Sequence, residues 1–191
     1  MTFRVGFVTG ATPDKWARTW RDRERETLEL VPVTEEEQES LLRSGEVSMC
    51  LVRLPINRAG LHCIPLYDEV QVAVVAHEHV LSLADEVTLA DLDDEQLVAP
   101  HRSGFTPSAE QLAWPAMTPK DAVETVAAGT GVVLLPMSIA RLLHRKDVVH
   151  RPVPELEPTT VGLAWRVEDD DPRIQTFIGI VRGRTANSSR R

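Results

Sequence analysis

The chain has 191 residues, 42% of them hydrophobic, enough apolar surface for a folded core in one compact domain or two small lobes. A formal net charge of -8, with the basic residues scattered among acidic ones, disfavours a phosphate backbone as a direct partner, so no direct nucleic-acid contact is expected. No apolar run approaches the length needed to cross a bilayer and nothing at the start reads as a leader, so no membrane association and a cytoplasmic location are expected, with Cys50 and Cys63 as buried reduced thiols.

In chain order, Phe3-Arg4-Val5-Gly6-Phe7-Val8 alternates as a strand, and residues 13–25 form a highly charged helix with Trp16 and Trp20 on one face. Residues 28–33 are a second strand. Thr34 and Glu37 then make a capping box, Leu41 and Leu42 face inward, Gly45 ends the helix, and residues 47–52 form a third strand. This βαβαβ order predicts parallel strands with right-handed crossovers. A strand pair at residues 61–66 and 70–76 follows, then a polar loop through His77 and His79, and a short apolar strand at 96–99 ending at Pro100.

The most informative stretch is Val126-Ala127-Ala128-Gly129-Thr130-Gly131-Val132-Val133-Leu134-Leu135-Pro136. Thr118 and Asp121 cap a helix running to Ala128, Gly129 ends it with a left-handed residue, residues 132–135 form a strand buried on both faces, and Pro136 starts the next helix. A strand at 148–150, a proline-rich connection, a strand at 161–165 and a helix from Pro172 to about Arg182 complete the pattern. The basic tail 183–191 reads as disordered.

Residues 124–141 resemble the "VaaGxGxxxLP" segment in the effector-binding domain of LysR-type transcriptional regulators. The first strand, Leu41-Leu42-Arg43-Ser44-Gly45-Glu46-Val47 and Leu89-Ala90-Asp91-Leu92 match in order and spacing, so the resemblance covers nearly the whole chain. It implies an α/β fold of the type 2 periplasmic-binding-protein kind, two Rossmann-like lobes with mixed, mainly parallel sheets. Lobe one would hold residues 2–67 and 161–182, and lobe two residues 68–160, shortened between Pro100 and the signature. It also implies an effector held between the lobes. With Met1 two residues before the first strand, the expectation is a stand-alone sensor without a DNA-reading module. The charge of residues 14–26 weakens the side-by-side pairing that the family makes through its first helix.

Ligands of open α/β sheets bind beyond the carboxyl ends of the strands, where helix N-termini offer unpaired N–H groups. The candidate ligand-binding residues are therefore Thr9, Gly10, Ala11 and Thr12 after the first strand, and Thr34 after the second. Arg53 and Leu54 follow the third, and Pro100, His101, Arg102 and Ser103 lie in the middle of the chain. Thr34 is read chiefly as a cap, with Glu35 beside it disfavouring an anion. Arg53 reads as a carboxylate fork or, equally, as an arginine that is solvated or paired with an acid. The expected partner is a small organic anion. A homodimer or a regulatory protein partner would carry the output, and a pairing module that has lost its ligand is the alternative.

No cofactor loop, nucleophile elbow or matched carboxylate pair is present in the sequence, so neither an enzyme nor a cofactor is expected. His77-Glu78-His79 offers two imidazoles on one face of a strand extension but no further ligands, which falls short of a zinc site.

Overall fold

The computed structural model describes residues 2–98 and 104–183. The chain divides into two compact units, Met1–Tyr67 with Thr160–Arg191, and Asp68–Thr159.

The first unit contains β1 (Phe3–Val8), α1 (Asp14–Arg23), β2 (Leu28–Val33), α2 (Gln38–Ser44), β3 (Met49–Arg53), most of β4 (Leu61–Glu69), β8 (Thr159–Arg166) and α6 (Pro172–Val181). Its sheet runs β2-β1-β3-β8-β4. β1 is parallel to β2 and β3, as the βαβαβ order predicts, while β8 returns antiparallel to β3 with Cys50 opposite Ala164. The charged first helix holds on through its aromatic face. Trp20, 1% exposed, stacks on Phe3 at 5.1 Å and meets Phe177 of α6 at 6.1 Å, while its indole N–H donates to the Glu26 carbonyl at 2.8 Å. Burying one such ring stabilises the unit by about 3 kcal/mol, so polar composition does not prevent α1 from docking.

The second unit contains β5 (Gln71–Ala76), a 3-10 turn (Val80–Leu83), α3 (Leu89–Leu92), α4 (Pro119–Ala127), β6 (Val133–Pro136), α5 (Met137–Leu142) and β7 (Val148–Pro152). β5 lies between β6 and β7 and is antiparallel to both. Val72 and Val74 pack with Val123, Val126 and Ile139 on one face, and Ala73 and Val75 with Leu92, Leu134 and Val153 on the other. The sheets are thus mixed, with a larger antiparallel share than the opening of the chain implies. A strand covered on both faces reads as a continuous apolar run whatever its direction.

Proline marks the margins of both sheets. Among the described residues each edge strand carries one, Pro32 in β2, Pro65 in β4, Pro136 in β6, whose start is also bridged by Leu97, and Pro152 in β7, and the inner strands β1, β3, β8 and β5 carry none. A proline has no N–H to give to a neighbouring strand, so it is tolerated at an edge and also discourages pairing with another chain.

The signature folds as its residues require, with small differences. Thr118 accepts the Asp121 N–H and the Asp121 carboxylate accepts the Thr118 N–H, closing the box at the start of α4. Gly131, at φ +64°, is the position that must lack a side chain. A Cβ there would strike the Gln96 carbonyl, which accepts the Val132 N–H at 2.8 Å. Pro136 closes β6 and flanks α5 as its cap instead of entering it, because its ψ of 143° is extended. α1 is shorter at both ends than expected, and β3 starts at Met49 instead of Val47. The expected strand at 96–99 is reduced, within the described residues, to a single parallel bridge from Leu97 to Val132.

Candidate functional site

In the first unit the parallel strands β2, β1 and β3 end on one side of the sheet. From β1 the chain passes through α1 to β2 on one flank, then through α2 to β3 on the other. The boundary between β1 and β3 is therefore a topological switch point, where the loops leave in opposite directions and open a crevice.

The loop after β1 lies beside that point. Gly10 takes φ +89°, which lets the backbone turn sharply, and the Ala11 N–H returns to the Val8 carbonyl at 3.0 Å. Ala11 is buried, whereas Thr9 and Thr12 are exposed. Pro13 caps α1 without a side-chain bond, and the Gly10 and Thr12 N–H groups have no acceptor among the described residues. This is a set of backbone donors at the positive end of a ten-residue helix.

After β2, Thr34 is committed to its box. Its hydroxyl and N–H donate to the Glu37 carboxylate at 2.9 and 3.1 Å, and the hydroxyl accepts the Glu37 N–H at 3.2 Å. These bonds hold the Glu37 carboxyl below the usual carboxylate range. The box closes over a turn, and α2 begins only at Gln38.

After β3, the reading of Arg53 as an open fork for a ligand is corrected. Its side chain is 3% exposed; Nε donates to Glu35 Oε1 at 3.0 Å and one Nη to the Thr9 carbonyl at 3.1 Å. The acid-paired alternative describes it. Because β1 lies between β2 and β3, Glu35 reaches across the end of β1 to meet Arg53, and the ion pair forms a floor under the 9–12 loop. Leu54 is half-buried against the core and donates its N–H to the Thr160 carbonyl at 2.9 Å, a structural tie.

Sequence reasoning missed Gln38. It is 1% exposed, accepts the Arg53 N–H at 2.9 Å and donates to the Arg53 carbonyl at 3.1 Å, so an amide side chain replaces a strand neighbour for the last residue of β3. The available signal was its spacing, three and four residues before the inward-facing Leu41 and Leu42. Pro100, His101, Arg102 and Ser103 lie outside the described residues.

In the second unit, His79 Nδ1 accepts the Leu81 N–H at 3.2 Å and Nε2 stands 3.4 Å from Glu95, so this imidazole caps the 3-10 turn. No group of three or more His, Cys, Asp or Glu side chains is gathered for a metal among the described residues. Gln71, 1% exposed, donates to the Glu157 carbonyl while its Oε1 is left without a partner, as is the buried Ser138 hydroxyl. They sit apart, Gln71 on the Ala73 face of the sheet and Ser138 on the helix packed against the other face.

Both cysteines are free. Burial pushes the Cys50 thiol up to about 12 and also raises that of Cys63. No described helix is long and apolar enough to cross a membrane.

The chain as a whole is similar to known proteins. A family profile described as LysR substrate binding domain matches residues 21–186. The Hca operon transcriptional activator HcaR of Escherichia coli is 29% identical over 96% of this chain and 68% of its own length. The HTH-type transcriptional regulator AlsR of Bacillus subtilis is 23% identical over 92% of this chain, which spans 64% of that regulator. Among solved structures, the BenM effector binding domain with its effector benzoate aligns with a TM-score of 0.77 at 21% identity, covering 95% of this chain and 90% of that one. A Corynebacterium glutamicum OxyR mutant aligns with a TM-score of 0.75 at 20% identity, over 95% of this chain and 63% of that one. At such identities the structural likeness establishes the architecture, the mixed α/β, type 2 periplasmic-binding-protein-like fold. With the profile covering most of its length, the chain belongs to the LysR substrate binding domain family.

Proposed function

We propose that this chain is an effector-binding domain for a small organic anion and that its bound state is read by a transcriptional regulatory system. The observation that carries the reading is the β1–β3 switch point, beside which the 9–12 loop presents backbone N–H groups at the start of α1. The nature of the relatives supports it, since one solved neighbour is an effector-binding domain holding benzoate and the sequence relatives are transcriptional regulators. With Arg53 committed to Glu35, the attraction for an anion comes from the backbone and the helix end. Thr9 and Thr12 flank those donors and are exposed, so they can be changed without touching the core.

The test is isothermal titration of the purified chain against a panel of small organic acids. Saturable one-to-one binding is expected. Thr9→Glu or Thr12→Glu, which sets a carboxylate roughly 6 Å from the bound one, should weaken it about tenfold at low salt, with an unchanged melting temperature. An absence of saturable binding by any acid to the folded chain refutes the reading. One observation favours a second reading, a module that pairs with its own copy or with a regulatory protein: Glu35 already takes up the positive charge that Arg53 could have offered a ligand. That reading predicts silence in the same titration.

A further inference from the structure

We infer that Arg53 is a positioning residue that serves the proposed anion site without touching the ligand. By gripping the Thr9 carbonyl it fixes which way the Thr9–Gly10 peptide faces, and so holds the Gly10 N–H outward for a carboxylate. The functional half of this inference rests on the proposed site, whereas the orientation of the peptide stands without it.

Residues 8–11 make a tight turn. The Ala11 N–H returns to the Val8 carbonyl at 3.0 Å, and Gly10, the third residue, takes φ +89°. A left-handed third residue closed by this bond is the mark of a type II turn. The commoner type I has a negative φ at that position, and the mirror form of type I would also put Thr9, a β-branched residue, in the left-handed region. Types I and II differ chiefly in the central peptide, which is turned over by about half a rotation between them. Here that peptide is Thr9–Gly10.

One Nη of Arg53 donates to the Thr9 carbonyl at 3.1 Å, so that carbonyl points at the guanidinium. The peptide is trans, and in a trans peptide the C=O and the following N–H point in opposite directions. The Gly10 N–H therefore points away from Arg53, and it has no acceptor among the described residues. Turning the peptide over would aim this N–H at the guanidinium, donor against donor, and would present the Thr9 carbonyl to an incoming anion. Both changes are unfavourable, so a single bond from a buried cation selects the form of the turn that suits a carboxylate. The same bond polarises the peptide and strengthens its N–H as a donor. Arg53 is itself well anchored: its side chain is 3% exposed, and Gln38 holds its main-chain N–H and carbonyl at 2.9 and 3.1 Å.

The experiment pairs nuclear magnetic resonance of the full chain with titration by acetate, benzoate and succinate, in wild type and in Arg53→Met, which keeps an apolar stem and no donor. A type II turn gives a strong cross-peak between the Thr9 Hα and the Gly10 amide proton, and the turned-over form replaces it by one between the amide protons of Thr9 and Gly10. Wild type should show the first pattern. Arg53→Met should show the second and bind the responsive acid about tenfold more weakly or worse, the loss of one hydrogen bond to a charged group. The second pattern in wild type overturns the inference, and so does a folded Arg53→Met that keeps the first pattern, even where its binding falls. A turned-over peptide that binds as tightly as wild type overturns the functional half. If Arg53→Met does not fold, Gly10→Ala on the surface loop takes its place, since alanine disfavours the left-handed φ. It should turn over with the same loss, and binding as tight as in wild type overturns the inference. Silence from all three acids in wild type removes the functional half, while the cross-peaks still decide whether Arg53 orients the peptide.

Discussion

Replacing Arg53 by alanine tests whether the ion pair across the end of β1 is a built part of the first unit or a chance surface pairing. The change removes the 3.0 Å bond to Glu35 and the 3.1 Å bond to the Thr9 carbonyl, and it empties the space of a side chain that is 3% exposed. Deleting one member of a buried pair costs about 3 to 5 kcal/mol, chiefly because the other charge is stranded. Glu35 is 23% exposed and can turn toward water, which lowers that figure, while lost packing of the arginine stem restores part of it. The balance is about 3 kcal/mol for Arg53→Ala. Glu35→Gln keeps an oxygen for the guanidinium and should cost about 1 kcal/mol. If the two side chains act as a unit, the double variant falls short of the sum by about 1 to 1.5 kcal/mol. Urea unfolding at pH 7 in a Trp114→Phe background measures this, since the remaining tryptophans, Trp16, Trp20 and Trp165, all belong to the first unit. A coupling below about 0.3 kcal/mol would refute the reasoning.

Three further outcomes follow from the same coordinates. Gly131→Ala should cost about 3 kcal/mol or more, because its Cβ meets the Gln96 carbonyl as well as a left-handed φ; Gly129→Ala, left-handed with nothing near it, should cost about 1 to 2 kcal/mol, and thermal denaturation of the pair separates clash from backbone strain. Asp171 caps α6 and grips Arg173 through charged hydrogen bonds that hold its carboxyl below the usual range, so its stabilising share is present above the ordinary carboxylate value and lost as pH falls through the lowered one. Asp171→Asn, which keeps a capping oxygen, should therefore cost about 1 to 2 kcal/mol at pH 7 and progressively less as pH falls through the lowered value, as read from unfolding curves across the acid range. A thiol reagent at pH 8 should leave Cys50 unmodified in the folded chain and label it only in denaturant, because burial pushes the Cys50 thiol up to about 12, whereas half-buried Cys63 should react sooner; rapid labelling of native Cys50 would contradict its burial.

The elements that were legible in the sequence are those decided by local chemistry. The capping boxes of Thr34 with Glu37 and Thr118 with Asp121, and the left-handed Gly45 and Gly129, each involve atoms within a few residues, so spacing alone locates them. The sheet margins were legible too, although only in hindsight: prolines at 32, 65, 136 and 152 distinguish edge strands from inner ones by a rule that needs no coordinates. Strand direction in the second unit was not legible. Val72, Ala73, Val74 and Val75 are buried from both sides, and double burial erases the alternation by which an antiparallel strand usually announces itself.

The candidate site divides along the same line. The proposal of a ligand near residues 9–12 follows from a βαβαβ order, which is a property of the sequence. The character of the floor beneath it depends on which strands are neighbours. Glu35 and Arg53 are 18 residues apart, and Arg53 and Thr9 are 44 apart. Read along the chain, Glu35 is merely an acid beside Thr34 that discourages an anion, and Arg53 merely a cation at a strand end that attracts one. Placing β1 between β2 and β3 turns these opposed tendencies into one neutral, directional pair, with the cation buried and the rim of the anion exposed. A substitution that reverses the charge of either residue alone should therefore destabilise the loop more than Glu35→Gln, which removes the charge but keeps the shape and one oxygen for the guanidinium.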